Sequence, residues 1–408
     1  MTDATGLRPG SVASALLLVI SAGAVGCGQD LQSPSEPGPA AQVAAVASGA
    51  LAFRQLSTGY SHVCGVTTGD LAYCWGKNWD GELGNGVHDM ESCTQPCNPR
   101  PVAVVGGLRF RQVSVGVGHS CGLTTGSRVY CWGRNAEGQL GDGTRTPRSR
   151  PVAVGGTLRF RHVAAGGLHS CAISTADIAY CWGANQHGQV GDGTTIDRLR
   201  PVRVADGRLW RNLSGGVIHT CGVTIDDRGY CWGYNRPGAL GNGTDRASNR
   251  PAAVAGGLLF RRIEAGLHTC GVTRTYQAYC WGYNGTMALG DGTNSDRRLP
   301  TPVVSTRYYG HVNPGSHHTC GVTRDGRGFC WGTNALGELG NGHTLPRGTS
   351  TPVGGSLQLV QVSAGASLTC AVASDAKAYC WGNNYYGQLG IGTSVSGSLL
   401  PAEVVGPN

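Results

Sequence analysis

One order of apolar and polar positions recurs seven times between about residue 48 and the end of the chain. Each copy reads L-x-F-R-x-V-x-x-G-x-x-H-[ST]-C-G-V-T, a short turn, Y-C-W-G-x-N-x-x-G-x-L-G-[DN]-G-T, and then R-P-V-x-V. The tripeptide Cys-Trp-Gly begins at 74, 131, 181, 231, 280, 330 and 380, so successive copies start 57, 50, 50, 49, 50 and 50 residues apart. Four short strands fit into that length. A period near fifty with four strands per copy predicts an all-β chain folded as a seven-bladed β-propeller.

Two cysteines separated by nine residues occur in every copy, and their spacing predicts a hairpin. Antiparallel pairing of Cys64 with Cys74 places Thr67 opposite Leu71 and leaves residues 68–70 as the loop. Directly opposite residues at a non-hydrogen-bonded position lie about 4.5 Å apart at Cα, within reach of a disulfide. A zinc site would need short C-x2–4-C pairs in twos, with four ligands, and no copy supplies them. We therefore predict one disulfide in each copy: Cys64 with Cys74, Cys121 with Cys131, Cys171 with Cys181, Cys221 with Cys231, Cys270 with Cys280, Cys320 with Cys330, and Cys370 with Cys380.

Composition agrees with an all-β, turn-rich chain. Of 408 residues, 68 are Gly and only 5 are Phe, and 14% are charged, a mixture too poor in helix formers for a helical bundle. The net charge of +8 is scattered rather than gathered into a basic run, which argues against a nucleic-acid partner. Seventeen cysteines are typical of an oxidising compartment.

The first 27 residues have the features of an export signal: Arg8, an apolar run over 15–20, and then small residues. The run is too short to span a membrane. The string Ala-Val-Gly-Cys at 24–27 resembles the bacterial lipobox, whose cysteine, here Cys27, becomes the lipid-modified first residue; ordinary cleavage after Ala24 is the alternative. Lipidation of Cys27 leaves sixteen cysteines, an even number for eight disulfides. We predict a signal peptide over 1–27, a flexible tether over 28–47 and the propeller over 48–408.

The W-G-x-N-x-x-G-x-L-G-x-G units resemble the repeats of the regulator of chromosome condensation family, and the resemblance covers about residues 48 to 408. It implies a seven-bladed propeller. It does not imply one function, because the family includes a nuclear guanine-nucleotide exchange factor, plant ultraviolet receptors and a secreted bacterial inhibitor of β-lactamases. Export and paired cysteines differ from the nuclear members and disfavour nucleotide exchange. The receptors' G-W-R-H-T motif corresponds to residues 216–220, Gly-Val-Ile-His-Thr, which lack the Trp.

Residues that recur in every copy are explained by the blade itself. The Trp of each Cys-Trp-Gly is predicted to pack between blades, and the Asn three positions further on to hydrogen-bond the following turn. The His before the first Cys recurs in six copies, with Leu368 in the seventh. We expect it to bond to backbone in a turn; binding of an anion or a metal ion at one rim is the alternative.

Positions that depart from the repeat are better candidates for a specific site. The first copy carries an insertion with a C-x3-C pair, Cys93 and Cys97, predicted to be an eighth disulfide, with a redox pair as the alternative. Two variable positions hold aromatic residues in the first and seventh copies, which are neighbours in a closed ring. We predict one exposed patch of aromatic residues beside the inserted loop, since large aromatics anchor protein interfaces. The candidate partner-binding residues are Trp79, Asp80, Tyr385, Tyr386, His88, Asp89 and Glu91.

These patterns together predict an exported, lipid-anchored propeller, periplasmic or on the cell surface, that serves as a protein-binding scaffold at the cell envelope. The partner is an unidentified protein; we expect no nucleic acid, and membrane contact only through the lipid. Secretion without an anchor, an inhibitor of an exported enzyme, and an enzyme with a site at the channel mouth are alternatives. No Ser-His-Asp order, HExxH or P-loop appears, so we expect no catalytic, cofactor or metal site. An enzyme would need acids or bases in the channel that break its symmetry.

Overall fold

The structure is a computed structural model, and it describes residues 51–88, 98–394 and 397–407. By its contacts the chain divides into two units, residues 1–47 and 48–408. The predicted signal peptide and tether, Cys27, and the inserted-loop residues Asp89, Glu91, Cys93 and Cys97 lie outside the described residues. Among the described residues, no helix is long and apolar enough to cross a membrane.

The described strands form seven antiparallel sheets of four, and each sheet is built from consecutive strands, so the predicted seven-bladed propeller is confirmed. The strands of the seven blades are, in chain order, β1–β4 (Phe53–Thr58, His62–Thr67, Ala72–Gly76, Val102–Ala103), β5–β8 (Phe110–Val115, His119–Thr124, Val129–Gly133, Arg148–Ala153), β9–β12 (Phe160–Ala165, His169–Ser174, Ala179–Gly183, Arg198–Arg203), β13–β16 (Trp210–Gly215, His219–Thr224, Gly229–Gly233, Ser248–Ala253), β17–β20 (Phe260–Ala265, Thr269–Thr273, Ala278–Gly282, Arg297–Pro302), β21–β24 (Tyr309–Pro314, His318–Thr323, Gly328–Gly332, Arg347–Pro352) and β25–β28 (Leu359–Ala364, Leu368–Ala373, Ala378–Gly382, Ser398–Glu403).

The second and third strands of each blade pair in the register that the cysteine spacing predicts. In the first blade Cys64 lies opposite Cys74, and the Thr67 N–H donates to the Leu71 carbonyl over 2.8 Å. Asp70, the third loop residue, has a φ of 65°, a left-handed conformation that closes the turn.

Each blade contains the disulfide predicted for its copy of the repeat. The paired Cα atoms lie 4.0 to 4.1 Å apart, as expected for directly opposite residues of a hairpin. In chain order the structure joins Cys64 with Cys74, Cys121 with Cys131, Cys171 with Cys181, Cys221 with Cys231, Cys270 with Cys280, Cys320 with Cys330, and Cys370 with Cys380.

The hydrophobic core lies between blades rather than within them. A typical cluster combines Cys171, Cys181 and Val190 of blade three with Trp210 and Trp232 of blade four. In every blade the Cys-Trp-Gly indole is fully buried, and its Nε1–H donates to a backbone carbonyl of the preceding blade. The prediction that these Trp residues pack between blades is confirmed.

The first strand of each blade is the innermost and lines a central channel. At one end of the channel, the turns after these strands form backbone hydrogen bonds across six of the seven junctions between blades, such as Gly167 N–H to Gly216 O over 2.9 Å. A Cβ on Gly116 would lie 2.3 Å from the Gly166 oxygen, so only glycine permits this approach. The remaining cavity at that end is about 90 Å³. This end opens on the long-loop face, formed by the loops between third and fourth strands; the opposite, hairpin face carries loops 68–70, 125–127, 175–177, 225–227, 274–276, 324–326 and 374–376.

The ring closes between blades seven and one without any exchange of strands among the described residues. The Phe53 N–H donates to the Ala376 carbonyl over 2.7 Å, and the Ala366 N–H donates to the Gly59 carbonyl over 3.3 Å. The Trp75 Nε1–H donates to the Gln388 carbonyl over 3.0 Å. The junction of first and last blades therefore uses the first-strand and indole contacts found at the other six junctions, and the turn contact found at five of them.

Candidate functional site

The structure brings the predicted aromatic residues together on the long-loop face, at the junction of blades seven and one. The rings of Trp79 and Tyr386 lie 5.7 Å apart edge to face, and those of Tyr385 and Tyr386 lie 4.9 Å apart. Lys77 Nζ lies 4.3 Å from the centre of the Trp79 ring, a cation–π contact. Trp79 is 38% exposed and Tyr385 is 74% exposed. We call Trp79, Tyr385 and Tyr386 the seam patch. The three rings lie together as predicted, with Tyr386 half-buried, and the binding role of the patch stays a prediction.

The polar candidates of the first blade are less concentrated than predicted. His88 is exposed, in the same long loop of blade one that carries Trp79. Asp80 is half-buried and extends toward blade two, since a Cβ placed on Gly118 would lie 3.7 Å from its Oδ2 atom. Its backbone N–H donates to the Glu82 carboxylate over 2.8 Å, a capping bond that fixes the turn. Asp80 is therefore placed away from the seam patch.

Sequence reasoning missed other aromatic residues on the long-loop face. Tyr60, in the turn after β1, is 46% exposed. The rings of His187 and Tyr234 lie 5.1 Å apart across blades three and four, and those of Tyr283 and His317 lie 6.4 Å apart across blades five and six. Each pair joins two variable positions of neighbouring copies, a signal that appears only when the copies are compared pairwise around the ring.

The six repeated histidines are buried, and the expectation that they bond to backbone is wrong. Each Nε2 lies 2.6 to 2.9 Å from a Ser or Thr hydroxyl of the next blade, as in His62 to Ser120. Because the Ser120 hydroxyl donates to the Glu82 carbonyl, the ring N–H donates to the hydroxyl. Burial lowers the pKa of His62 to about 3, so the ring is neutral. The histidines hold neighbouring blades together.

The seventh junction replaces this polar contact with an apolar one. Leu368 occupies the histidine position of blade seven, and Val63 occupies the hydroxyl position of blade one. Both side chains are fully buried in one cluster with Trp75. The exception in the repeat is thus matched on both sides of the junction. No group of three or more His, Cys, Asp or Glu residues that could hold a metal ion occurs in the described part of the chain.

The repeated Asn residues hydrogen-bond the following turn, as predicted. The Asn135 Oδ1 accepts from the Leu140 N–H over 3.0 Å, and its Nδ2 donates to Asp142 and to the Thr144 carbonyl. Asp142 also accepts from Arg148 over 3.1 Å. Burial acts to raise the pKa of Asp142, but hydrogen bonds from Thr144, Arg148 and Asn135 together lower it. The same carboxylate–guanidinium pair recurs as Asp192 with Arg198 and as Asp291 with Arg297.

The sixth blade has the arginine of this pair without the carboxylate. Arg347 lies opposite Gly332 in the register in which Arg148 lies opposite Gly133, but Asn341 stands at the Asp position. The Asn341 Oδ1 accepts from the Asn334 amide and the His343 N–H, as Asp142 does from Asn135 and Thr144. Its Nδ2 is buried with no hydrogen-bond partner. Asn341 is therefore a suboptimal residue at this position.

Asn341→Asp is expected to raise the free energy of unfolding by about 1 kcal/mol, because it satisfies Arg347 and removes an unpaired donor. The pKa of the new carboxyl should be lowered by folding, as it is in Asp142. The gain is then present above about pH 4 and is lost as the pH falls through the folded-state pKa. Urea denaturation at pH 7 and pH 3 measures it. Asn242→Asp is the control, since Ser248 replaces the arginine there; an equal gain in both variants would contradict the pairing.

The channel contains a polar cluster that breaks the seven-fold repeat. Arg262 and Glu264 of β17 form an ion pair of 2.5 Å between Nε and Oε1. His311 of β21 lies near Arg262; burial first, and then the Arg262 charge, lower its pKa to about 3. At the hairpin face the channel widens into a recess of about 920 Å³ lined in part by Arg262 and His311.

Comparison with known proteins gives the family. Residues 19–314 match the RCC1-like domain, and residues 359–388 and 375–408 match the regulator of chromosome condensation (RCC1) repeat. The chain belongs to the RCC1-like domain family. The resemblance seen in the repeat is therefore confirmed.

Sequence relatives of this RCC1-like chain match it over limited lengths, whereas solved structures superpose over most of it. A probable E3 ubiquitin-protein ligase, HERC4 of Rattus norvegicus, is 36% identical over 87 residues, which is 21% of this chain and 8% of the relative. The solved structure of human WBSCR16 superposes with a TM-score of 0.74 at 20% identity, covering 83% of this chain and 94% of that one. Prp20p of Saccharomyces cerevisiae gives a TM-score of 0.72 at 19% identity, covering 87% of each chain. At such identities the structures establish the RCC1-like fold alone.

Proposed function

We propose that this RCC1-like propeller is a protein-binding module whose partner docks on the long-loop face over the seam patch. The observation that carries the proposal is the assembly of Trp79, Tyr385 and Tyr386 into one exposed cluster from blades at opposite ends of the sequence. These residues fill positions that are variable in the repeat, so the blade fold does not require aromatics there. Rigid aromatic side chains lose little conformational entropy on binding and commonly dominate interface energetics.

The frame beneath the patch favours binding without rearrangement. The two loops that carry the seam patch are each held by a capping hydrogen bond. The Asp80 N–H donates to the Glu82 carboxylate, and the Tyr386 N–H donates to the Gln388 side-chain oxygen over 2.7 Å. The Asn78 and Asn384 side chains fix the same loops from below through the N–H groups of Leu83 and Leu389. Preorganised loops bind with a smaller entropic cost. The related yeast propeller Prp20p has been characterised for binding to Gsp1p and histones, which supports the use of this scaffold for protein partners.

We further propose that the module is exported and held at the cell envelope by lipid on Cys27. Support comes from the lipobox-like string at 24–27 and from the buried disulfides, since such bonds persist in oxidising compartments. The partner is then an exported or membrane protein. Nucleotide exchange is disfavoured in such a compartment.

The triple variant Trp79→Ala, Tyr385→Ala, Tyr386→Ala is expected to lose the partner while folding normally, because the patch is on the surface. Chemical cross-linking in the native cell envelope, followed by affinity capture, should yield one protein with the native chain and at least tenfold less of it with the variant. The captured protein is then purified, and its affinity for both chains is measured directly.

Ile196→Ala with Leu345→Ala is the matched control, since both residues are more than 60% exposed on the same face in other blades. The control should keep full affinity. An unchanged affinity of the triple variant for the purified partner would contradict the seam site.

The lipid anchor is tested by separating the cell envelope into membrane and soluble fractions. Cys27→Ser should move from the membrane to the soluble fraction, and a variant that stayed with the membrane would refute the anchor.

A further inference from the structure

A column of inner-strand residues, one in each blade, links blades one, two, three and seven to the blade that follows each of them. Its glutamines make a double hydrogen bond to the neighbouring first strand. Gln55 donates to the Val113 carbonyl and accepts from the Val113 N–H, both over 2.9 Å. Gln112 and Gln361 make the same pair of bonds to Val163 and Leu56. The column therefore has a structural role wherever glutamine occupies it.

Three consecutive blades lack this link. The same column holds Asn212, Arg262 and His311 in blades four, five and six, and none of the three bonds to the next blade in the described structure. Asn212 is 7% exposed and its Oδ1 has no hydrogen-bond partner; the His311 Nδ1 is buried without one as well. Buried polar atoms without partners are costly in a folded protein. Of the two residues, His311 lines the recess, so a group bound there would lie beside its ring.

A second column departs from the repeat at the same blade. Ser57, Ser114, Ser214 and Ser363 each accept from a backbone N–H of the next blade over 2.8 to 3.1 Å. Blade five has Glu264 in this column, and the residue facing it is Pro314, which has no N–H to donate. Glu264 instead pairs with Arg262 and accepts from the Ser214 hydroxyl. Glu264 therefore makes no backbone link to blade six, and its bond to a neighbouring blade is the one from Ser214 of blade four.

The recess opens at the two blades that lack an arginine found in the other five. This arginine forms a third column, at the second residue of each first strand. The residue after the first-strand aromatic is Arg in five blades, and four of these donate to a carbonyl of the next blade, as Arg54 does to Phe110. Blades six and seven have Gly310 and Val360 instead, and both line the recess. Removing two long side chains from the ring creates the opening.

The lining of the recess is cationic. Arg54, Arg262 and Arg324 contribute to it; Arg54 is also paired with Asp70, and the one carboxylate in the lining, Asp325, is paired with Arg327. Arg324 stacks on the Tyr276 ring at 4.4 Å, and Arg262 approaches Glu264 through Nε. No hydrogen bond from the terminal nitrogens of either arginine is found among the described residues. Planar guanidinium groups with free N–H donors match carboxylates in geometry and charge.

We propose that the recess at the hairpin-face end of the channel binds a small polycarboxylate, with Arg262 as the central cation. Its carboxylates bond to Arg262 and Arg324, which both line the recess. Glu264 reduces the positive field beside Arg262, which favours a carboxylate group with one charge at that point over a phosphate group with two. This site is on the opposite face from the seam patch and does not depend on it.

The repeat itself supplies the test variants. Arg262→Gln with Glu264→Ser restores the residues that blades one, two and seven hold in both columns, so the net charge and the fold are kept. Glu264→Ser alone removes the competing carboxylate and leaves Arg262 free. Isothermal titration calorimetry of the full chain with citrate and succinate should show one site, at least tenfold weaker binding in the double variant, and severalfold tighter binding in Glu264→Ser.

Titrations with further compounds identify the source of the carboxylate. An acetylated, amidated Asp-Glu dipeptide represents an acidic side chain inserted by a protein, whereas citrate and succinate represent a free metabolite; succinamide is the uncharged control. Binding by either carboxylate source that is lost in the double variant supports the site. Three results would overturn the site: binding that the double variant retains, tighter binding of inorganic phosphate than of the carboxylates, or the absence of binding in both the native chain and Glu264→Ser.

Discussion

The unfolded, reduced chain is expected not to form the propeller in a reducing buffer, and to fold when a thiol–disulfide buffer allows oxidation. Each of the seven disulfides joins cysteines ten positions apart, for which loop-closure entropy gives about 2 to 3 kcal/mol. Seven such contributions together are on the order of the whole stability of a domain. The sulfurs are fully buried, so reductant acts on the unfolded chain. Tryptophan fluorescence and near-ultraviolet circular dichroism after dilution from denaturant measure the outcome.

A single-blade variant gives the scale of the effect. Cys221→Ser with Cys231→Ser should fold and lose about 2 to 3 kcal/mol in urea denaturation, because the other six bridges remain. Alkylation of the reduced chain controls for slow reoxidation. A reduced, alkylated chain that recovered the native near-ultraviolet spectrum would show that the blades fold without their bridges.

Trp232→Ala is expected to lower the free energy of unfolding by about 4 kcal/mol. The indole is fully buried between blades three and four, 5.3 Å from the Trp210 ring, and its Nε1–H donates to the Gln189 carbonyl over 2.9 Å. That carbonyl also accepts from the Thr220 hydroxyl, so it keeps one partner in the variant. The loss therefore comes mainly from the cavity. Equilibrium urea denaturation measures it.

Two further variants test whether the loss comes from the cavity. The hydrogen bond of the indole is absent in both Trp232→Ala and Trp232→Phe, so these two variants differ in packing alone. Trp232→Phe keeps a ring in the cavity and should lose about half as much stability. Trp79→Ala removes an exposed indole and should change stability by less than about 0.5 kcal/mol. A loss below about 1 kcal/mol for Trp232→Ala would mean that the junctions between blades tolerate cavities.

The sequence predicts the blade, the hairpin register and the indole packing because each repeats seven times, and repetition separates structural positions from variable ones. The seam patch was predictable because a closed ring makes the first and last blades neighbours. The histidine contact was missed although its partner was visible: the hydroxyl residue after each histidine faces the preceding blade, and Val63 replaces it where Leu368 replaces histidine. The columns containing Arg262 and Glu264 were also readable as departures from Gln and Ser.

Other features depend on distances that no alignment of repeats contains. The recess exists because Gly310 and Val360 are adjacent at the channel end and both lack the arginine side chain. The position of Asp80 toward blade two depends on the direction of one turn, which its spacing from Trp79 does not specify.

Every sheet in this ring is made from one continuous stretch of chain, and none of the described strands is donated from the far end of the sequence. Propellers that share a strand between their two ends fix where those ends must lie. Here the ends could be relocated by circular permutation to the connection between any two blades, and all seven sheets would remain whole. Whole blades are equally units of duplication and loss, since inserting or removing about fifty residues cuts no sheet. A gene encoding this architecture can thus diversify by recombination at blade boundaries while each blade keeps its own internal bridge.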